Sequence, residues 1–509
     1  MKIFAKLLTL CCFLSLFACE GYLDVEQPSI YTDENYYKKP SDFELAINGC
    51  YAQLQKLYNK NWLEAIVSRG DEARNYKEIS RFLDTAMEPK WKGPWSDWWT
   101  LIYRCNQLLD RIEPIEFTGS ATAEQKKNLK GEAYAMRGLA YFQFAWCWGG
   151  APLIIHEMPR EEIYTVRRES QEKTYEQAIS DFKDAWNNLP EKWTDANAGR
   201  VTKYAAAGML GRIYLYMKNY TEAANWLKVV VDKEGAPYKM ATKYEDCFSD
   251  AYNNGPERVW EVQYLGGKSG KALGLSQSFS GWFIPSNINV SKDSKLMNGV
   301  SFVGASGSIR ASESLWGGDT YEEGDKRKDI TVVTGLYLDK DKPVTDQYFV
   351  RKFLQMSETT PTAYDEFGNN ISILRYTDVK LMYAEALNEL DFYGNLTEVV
   401  GIINEVRERA GLETFENGNF ASKKDVFDRL VKERFVEFAF EGIRWPDLIR
   451  WDLAEDAMEK HFALASEEYN INSNVPTYSM KSYNKLAPIP LSDLLTYGNE
   501  DIMWQNEGY

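Results

Sequence analysis

Two carboxylates four residues apart, Glu433 and Glu437 in VKERFVEFAFEGIRWPDLIRW (431–451), are a pair whose type and spacing could do acid–base chemistry. On a helix they share one face, where like charges repel unless a cation stands near. Arg444, with Asp447 three residues on and Trp445 between, follows closely enough to close such a network. Two acids of this kind could serve a glycosidase. They could equally belong to a buried ion-pair lattice that locks the last helices together, and the sequence favours the lattice, since structural networks use the same residues. Other catalytic patterns are missing. The two histidines, His156 and His461, are far apart and lack HExxH spacing. Gly304-Ala305-Ser306-Gly307-Ser308 fails at the last position of a GxSxG elbow. No P-loop or dinucleotide fingerprint occurs, and Asp339-Lys340-Asp341 lacks the glycine and terminal glutamate of a calcium loop. The chain therefore reads as a binder and not an enzyme, with no cofactor and no metal.

What the sequence does supply is aromatic surface: 16 Trp, 32 Tyr and 24 Phe, 14% of all residues. Such rings fill cores, and they also stack on the apolar C–H faces of sugars. Two regions place them in polar company. In RGDEARNYKEISRFLDTAMEPKWKGPWSDWW (69–99), Trp91 and Trp95 stand in a Gly-Pro turn context, with no helical reason to be buried. Arg74, Asn75 and Tyr76 precede them, while Trp98, Trp99, Tyr103 and Asn106 run into a helix at a spacing that suits packing. In the second region, 279–323, Trp282, Phe283, Trp316 and Tyr321 are spread through Gly/Ser-rich loops beside Arg310 and Asp319. The glycines after Trp316, in SLWGGDT, offer that ring little to pack against. The candidate ligand set is thus Arg74, Asn75, Tyr76, Trp91, Trp95, Trp282, Trp316 and Tyr321, with loop packing as the competing role for each.

Helices must hold these loops. GEAYAMRGLAYFQFAWCW (131–148) is apolar on nearly every side, which predicts a core helix, stopped by Gly149-Gly150 and Pro152. An amphipathic stretch follows at 171–189, ending at Pro190, and 202–232 breaks at Lys218-Asn219 into two helices. Gly211, Tyr214, Tyr220 and Ala223 fall where tetratricopeptide-like hairpins place small and aromatic packing residues. Gly138 and Tyr141, then Tyr175, Ala178, Phe182, Ala185 and Pro190, fit a second such unit with 149–170 inserted. Further helical blocks cover 375–410 and 423–441. Between the blocks, residues 262–370 lose helical periodicity and become rich in Gly, Ser and Asn, with short β-like runs such as ITVVTGLYL. Recognition commonly sits on loops carried by a rigid scaffold. The fold class is therefore mainly α: a helical scaffold over about 35–260 and 371–460, a loop-rich, little-β ligand-facing region over about 262–370, and a C-terminal segment, 461–509.

The first residues, MKIFAKLLTLCCFLSLFAC, have two lysines, an apolar run from Leu7 to Phe17, and small Ala18 before Cys19. That is the layout of a secretory leader over 1–18, and its apolar run is short of the about 20 residues that span a bilayer. Leu16-Phe17-Ala18-Cys19 resembles a bacterial lipobox, making Cys19 the lipidation site and the lipid the membrane anchor; an ordinary signal peptide cut nearby is the alternative. Cys50, Cys105, Cys147 and Cys247 form no CxxC pair, and the first three sit in apolar helical sequence as small hydrophobes. Disulfides among them stay open, since sequence cannot pair them. A formal charge of −16, more negative still once Lys2 and Lys6 leave with the leader, argues against nucleic acid as a partner.

Six collinear blocks point to one family: GEAYAMRGLAYFQFAWCWGGAPLI, GRVTKYAAAGMLGRIYLYM, LRYTDVKLMYAEALNEL, INEVRERAGL, VKERFVEFAFEGIRWPDLIRW and LAPIPLSDLL…QNEGY. With Cys19 they resemble the SusD/RagB family of Bacteroidetes outer-membrane lipoproteins, with Pro446 and Glu507 as departures. The resemblance implies a tetratricopeptide-based fold and an outer-membrane, lipid-anchored protein that faces the exterior. It implies capture of a nutrient, usually a glycan, and a role as lid on a SusC-like TonB-dependent transporter. It also implies an arc of aromatics from early and mid-chain loops, aided by Arg and Asn. A peptide-capturing member of the same family is the runner-up, ahead of an all-helical glycosidase.

Overall fold

The computed structural model describes residues 36–59, 61–75, 77–287, 307–337, 343–354, 361–464 and 480–509. Residues 1–18, read above as a leader, and the candidates Cys19 and Tyr76 lie outside the described residues. The scaffold is a run of helices, each packed on its neighbours in sequence. We label α1 Pro40–Asn59, α2 Asn61–Arg69, α3 Pro89–Ile112, α4 Ser120–Trp148, α5 Gln171–Asn188, α6 Lys203–Tyr216 and α7 Tyr220–Val231. After the loop-rich region come α8 Tyr376–Leu390, α9 Phe392–Ala410, α10 Lys423–Glu437, α11 Arg444–Arg450, α12 Ala454–Leu464 and α13 Leu491–Tyr497. α4 packs on α5, α5 on α6, α6 on α7, α7 on α8 and α8 on α9. This is the mainly-α array of helical hairpins that the spacing predicts.

Small residues set the close approaches. A Cβ on Gly211 would come 2.4 Å from Cγ of Leu227, so α6 and α7 touch where nothing larger fits. Gly138 plays the same part between α4 and α5, 3.0 Å from the Phe182 ring. Lys218 turns the chain in the left-handed region (φ 58°), and the Asn219 side chain then accepts from the Glu222 N–H to start α7. Gly149, also left-handed, ends α4.

Three two-stranded antiparallel sheets appear among the described residues. β2 (Arg258–Val262) pairs with β6 (Ile371–Arg375), and β4 (Val332–Val333) with β5 (Phe349–Val350). β1 (Ala73–Arg74) pairs with β3 (Arg310–Ala311) in the register Ala73↔Ala311, Arg74↔Arg310. That short ladder joins the early polar stretch to the mid-chain loops.

Glu433 and Glu437 are fully buried, and they belong to an ion lattice. Arg327 reaches both acids and chelates Asp325. Arg375 bridges Glu257, Glu437 and Glu441; Arg409 holds Glu437 at 2.5 Å; Arg429 joins Glu322 to Glu433. Lys352 donates to the Glu437 and Ala439 carbonyls and to Glu441. Arg444 does not close this network: it clasps Asp71 at 2.7 Å, while Asp447 serves Arg434 and Arg450. The expected closure by Arg444 fails because α11 turns its first residue toward the 71–75 segment. The lattice has a positional consequence, since Arg327 and Lys352 both come from the loop-rich region and fasten it to α10. Cys50, Cys105, Cys147 and Cys247 are free and buried, with Cys50 and Cys105 sulfurs 4.0 Å apart. Among the described residues no helix is long and apolar enough to cross a membrane.

Candidate functional site

The β1–β3 ladder gathers the two candidate regions into one surface. Ser312 donates from its N–H to the Glu72 carbonyl and from its hydroxyl to the Asp71 carbonyl, and Ala311 donates to the Tyr348 carbonyl. The chain between is thereby held flat, and a single helical turn, Glu313–Trp316, rises from it. At its end the Trp316 ring lies on the Tyr348 ring, with centroids 4.3 Å apart and planes 17° from parallel. Both rings are half-buried. Tyr348 precedes β5, which Lys352 anchors to the ion lattice, so the lower ring of the stack is fixed in place.

Polar groups flank the stack. Arg310 donates to the Gln347 side-chain carbonyl at 2.6 Å and to the Gly307 carbonyl at 3.3 Å. Arg74 donates to Glu313 at 2.7 Å. Asp319 is exposed, beside Gly318 in the left-handed region (φ +56°). Behind the turn, the Ser314 hydroxyl meets Nδ1 of buried His461 at 3.2 Å. Burial depresses the His461 pKa to about 4, which leaves its ring neutral. An aromatic shelf bordered by amide, guanidinium and carboxylate groups can hold a flat polyhydroxylated ring. Among the described residues no group of three His, Cys, Asp or Glu is placed to hold a metal ion.

Several of the sequence-based candidates are elsewhere. Trp91 and Trp95 are buried, 2% and 0% exposed, which corrects the turn assigned to KWKGPWSD. Pro89 opens α3, the Glu88 side chain caps it at the Lys90 N–H, and Gly93-Pro94 is absorbed within its first two turns. Residues 91, 95, 98, 102 and 105 then form one inward stripe. Trp91 donates its indole N–H to Asp84 at 2.6 Å, and Trp95 donates to Asp493 at 2.9 Å between Phe144 and Trp148. Neither presents a face to a ligand. Tyr321 is also buried, and burial pushes its phenol pKa up; it is a core residue and presents no face to a ligand. Asn75 is a buried turn residue, bonded to Ser68 and to the Lys77 N–H. Arg74 lies under the shelf, as the clamp on Glu313. Trp282 is half-buried, edge-on to exposed Tyr364 with centroids 6.5 Å apart. Trp316 is in the shelf, though its neighbours differ from expectation: Tyr348, not solvent, covers one face. Tyr348 and Gln347 went unread in the sequence, where QYFV looks like any short strand.

A family model described as the SusD family matches residues 287–509, and one described as "Starch-binding associating with outer membrane" matches residues 21–215. SusD-like protein P38 of Formosa agariphila is 25% identical over 479 residues, covering 87% of this chain and 90% of its own. A SusD-like protein of Bacteroides ovatus is 26% identical over 494 residues, covering 89% and 83%. Among solved structures, a laminarin binding SusD-like protein superposes with a TM-score of 0.73 at 22% identity, covering 93% of this chain and 100% of that one. Surface glycan-binding protein A from Bacteroides fluxus gives a TM-score of 0.74 at 22% identity, again covering 93% and 100%.

Proposed function

The chain belongs to the SusD family, and from that premise we propose that it captures glycans at the cell surface on the Trp316–Tyr348 shelf. The observation that carries this reading is the near-parallel ring pair at 4.3 Å beside Arg310–Gln347 and Arg74–Glu313. One sugar ring packs its C–H face on Trp316 while its hydroxyls exchange hydrogen bonds with Gln347 and Asp319. Trp282, half-buried beside exposed Tyr364 in the same loop-rich region, is a further ring a polymer could meet. Each contact is weak, and repetition along the glycan provides avidity. Names of the solved relatives, laminarin binding and surface glycan-binding, agree with this.

The same reading places the protein on the outer membrane, held by lipid on Cys19 after removal of residues 1–18. It hands its cargo, chemically unchanged, to a SusC-like TonB-dependent transporter that it covers as a lid. The description "associating with outer membrane" supports the location.

The test is affinity electrophoresis of residues 20–509 in gels containing laminarin, pullulan, xylan or mannan. Wild type is retarded by at least one polysaccharide, and Trp316→Ala and Tyr348→Ala weaken the retardation at least tenfold while keeping the wild-type melting curve to within a few degrees. Equal retardation of wild type and Trp316→Ala removes the shelf assignment. New reducing ends in the same mixtures would mean catalysis.

A further inference from the structure

A second aromatic cleft, sharing no residue with the shelf, opens between α3, the 154–164 segment and α13. It encloses about 520 Å3 and is lined by Trp99, Tyr103, Ile163, Tyr164, Tyr497 and Asp493. On α3, residues 96, 99, 100 and 103 form the stripe beside the one that carries Trp95 and Trp98 into the core. Trp99 is half-buried, with Phe144 behind it at 4.8 Å, and Tyr103 is 48% exposed. The opposite wall is a pair of tyrosines, Tyr164 and Tyr497, edge to face at 5.2 Å and 87°. Spacing of this kind at i, i+3 and i+4 ordinarily marks a buried face, yet here the rings face open space.

The walls are stiff. Asn106 donates to the carbonyls of Ile154 and His156 at 2.8 and 3.2 Å, and Asp110 accepts from the Glu157 N–H. Arg111 grips Glu157 through two nitrogens. On the far side, Leu491 donates to the Ala86 carbonyl, and buried Trp95 donates its indole N–H to Asp493. Asp493 is the one carboxylate of the lining, which also includes Ser96, Thr100, Asn106, His156 and Arg160. One oxygen takes Trp95 and the other takes Ser492 at 3.0 Å, and it makes no ion pair among the described residues. Each oxygen keeps a lone pair for a further donor. Volume, aromatic lining and a few fixed polar groups are those of a small-molecule site.

We propose that this cleft is a second carbohydrate site, in which a neutral sugar ring lies between the α3 rings and the Tyr164–Tyr497 wall and donates hydroxyl hydrogen bonds to Asp493. The lining holds one acid, Asp493, and one arginine, Arg160, that form no ion pair with each other, which suits a neutral ligand rich in hydroxyl donors and acceptors. The inference rests on the glycan-binding reading above, and its failure can be told from failure of that reading.

The experiment is titration calorimetry of residues 20–509 with laminaritriose, maltotriose, xylotriose and mannotriose, alongside polysaccharide electrophoresis. Wild type binds two equivalents of the matching trisaccharide. Tyr103→Ala and Tyr497→Ala each bind one, as does Trp316→Ala, and the Tyr103→Ala/Trp316→Ala double variant binds none. Either cleft variant weakens polymer binding at least tenfold, because one polymer no longer engages two sites. Tyr103 is exposed, so its truncation leaves the melting curve unchanged. A single equivalent in wild type that Trp316→Ala abolishes, with polymer binding intact in Tyr103→Ala, overturns the second site and leaves the shelf standing. Absence of binding to every glycan overturns both. Binding of choline at the cleft, unaffected by sugar, assigns it to a cationic ligand and also overturns the proposal.

Discussion

Replacing Glu437 by Gln tests how strongly the ion lattice stabilises the packing of the loop-rich region on α10. The carboxylate is fully buried and meets Arg409 at 2.5 Å, Arg375 at 3.1 Å and Arg327 at 3.3 Å. At an effective dielectric of about 20, a contact near 4 Å amounts to about 4 kcal/mol. Three such contacts are opposed by desolvation and by the neighbouring acids Glu433 and Glu441. Removing one partner of a buried pair costs about 3–5 kcal/mol net, because the opposite charge stays buried. Glu437→Gln keeps the shape and deletes the charge, so the urea midpoint should fall by that amount divided by an unchanged slope. The pH dependence gives a second reading. Burial alone would raise the Glu437 pKa, but Arg409, Arg375 and Arg327 outweigh it and hold the carboxyl well below its ordinary 4.5. A depressed native pKa means that the stabilisation is present above about pH 4.5 and is lost as pH falls toward the native value. The gap between wild type and Glu437→Gln should therefore be full at pH 7 and narrow progressively below pH 4.5. A loss under about 1 kcal/mol at pH 7, or a gap that widens in acid, would refute the reasoning.

Glu72 has the opposite sign. Burial raises its pKa to about 8, despite the hydrogen bond from the Phe440 N–H. Wild type should lose up to about 1.4 kcal/mol per pH unit from this group between pH 4.5 and about 8. Glu72→Gln should lack that component, so its unfolding free energy should rise relative to wild type as pH increases; parallel profiles would contradict it. Gly211→Val should destabilise by about 1–3 kcal/mol or more, as overpacking against Leu227 forces α6 and α7 apart. A thiol reagent should find no accessible cysteine in native residues 20–509 and four after denaturation, since Cys50, Cys105, Cys147 and Cys247 are all buried and free. Metabolic labelling with palmitate should tag the full chain and lose the tag in Cys19→Ala.

Much of the helical array was legible because its determinants are local. Gly138, Gly211 and the Lys218-Asn219 break mark helix contacts and ends through sterics that operate within a few residues. The acids Glu433 and Glu437 were rightly read as structural, since a pair four apart needs cations whatever the fold. Their partners were not readable: Arg327, Arg375 and Arg409 arrive from three distant segments, and the nearby Arg444 goes to Asp71 instead. Trp91 and Trp95 were misread because Gly93-Pro94 looks like a turn, whereas near a helix start proline is tolerated and the stripe they begin faces the core.

Sequence alone determined the helix hairpins, the loop-rich interval and the surplus of aromatic rings, because periodicity and side-chain size act at short range. Tertiary structure decided which rings are free to meet a ligand. Trp316 found Tyr348 through a two-residue ladder between β1 and β3, and Trp99 was left facing a cleft closed by a helix nearly four hundred residues later. Exposure is a property of what packs against a side chain, and that partner is chosen by the folded chain as a whole.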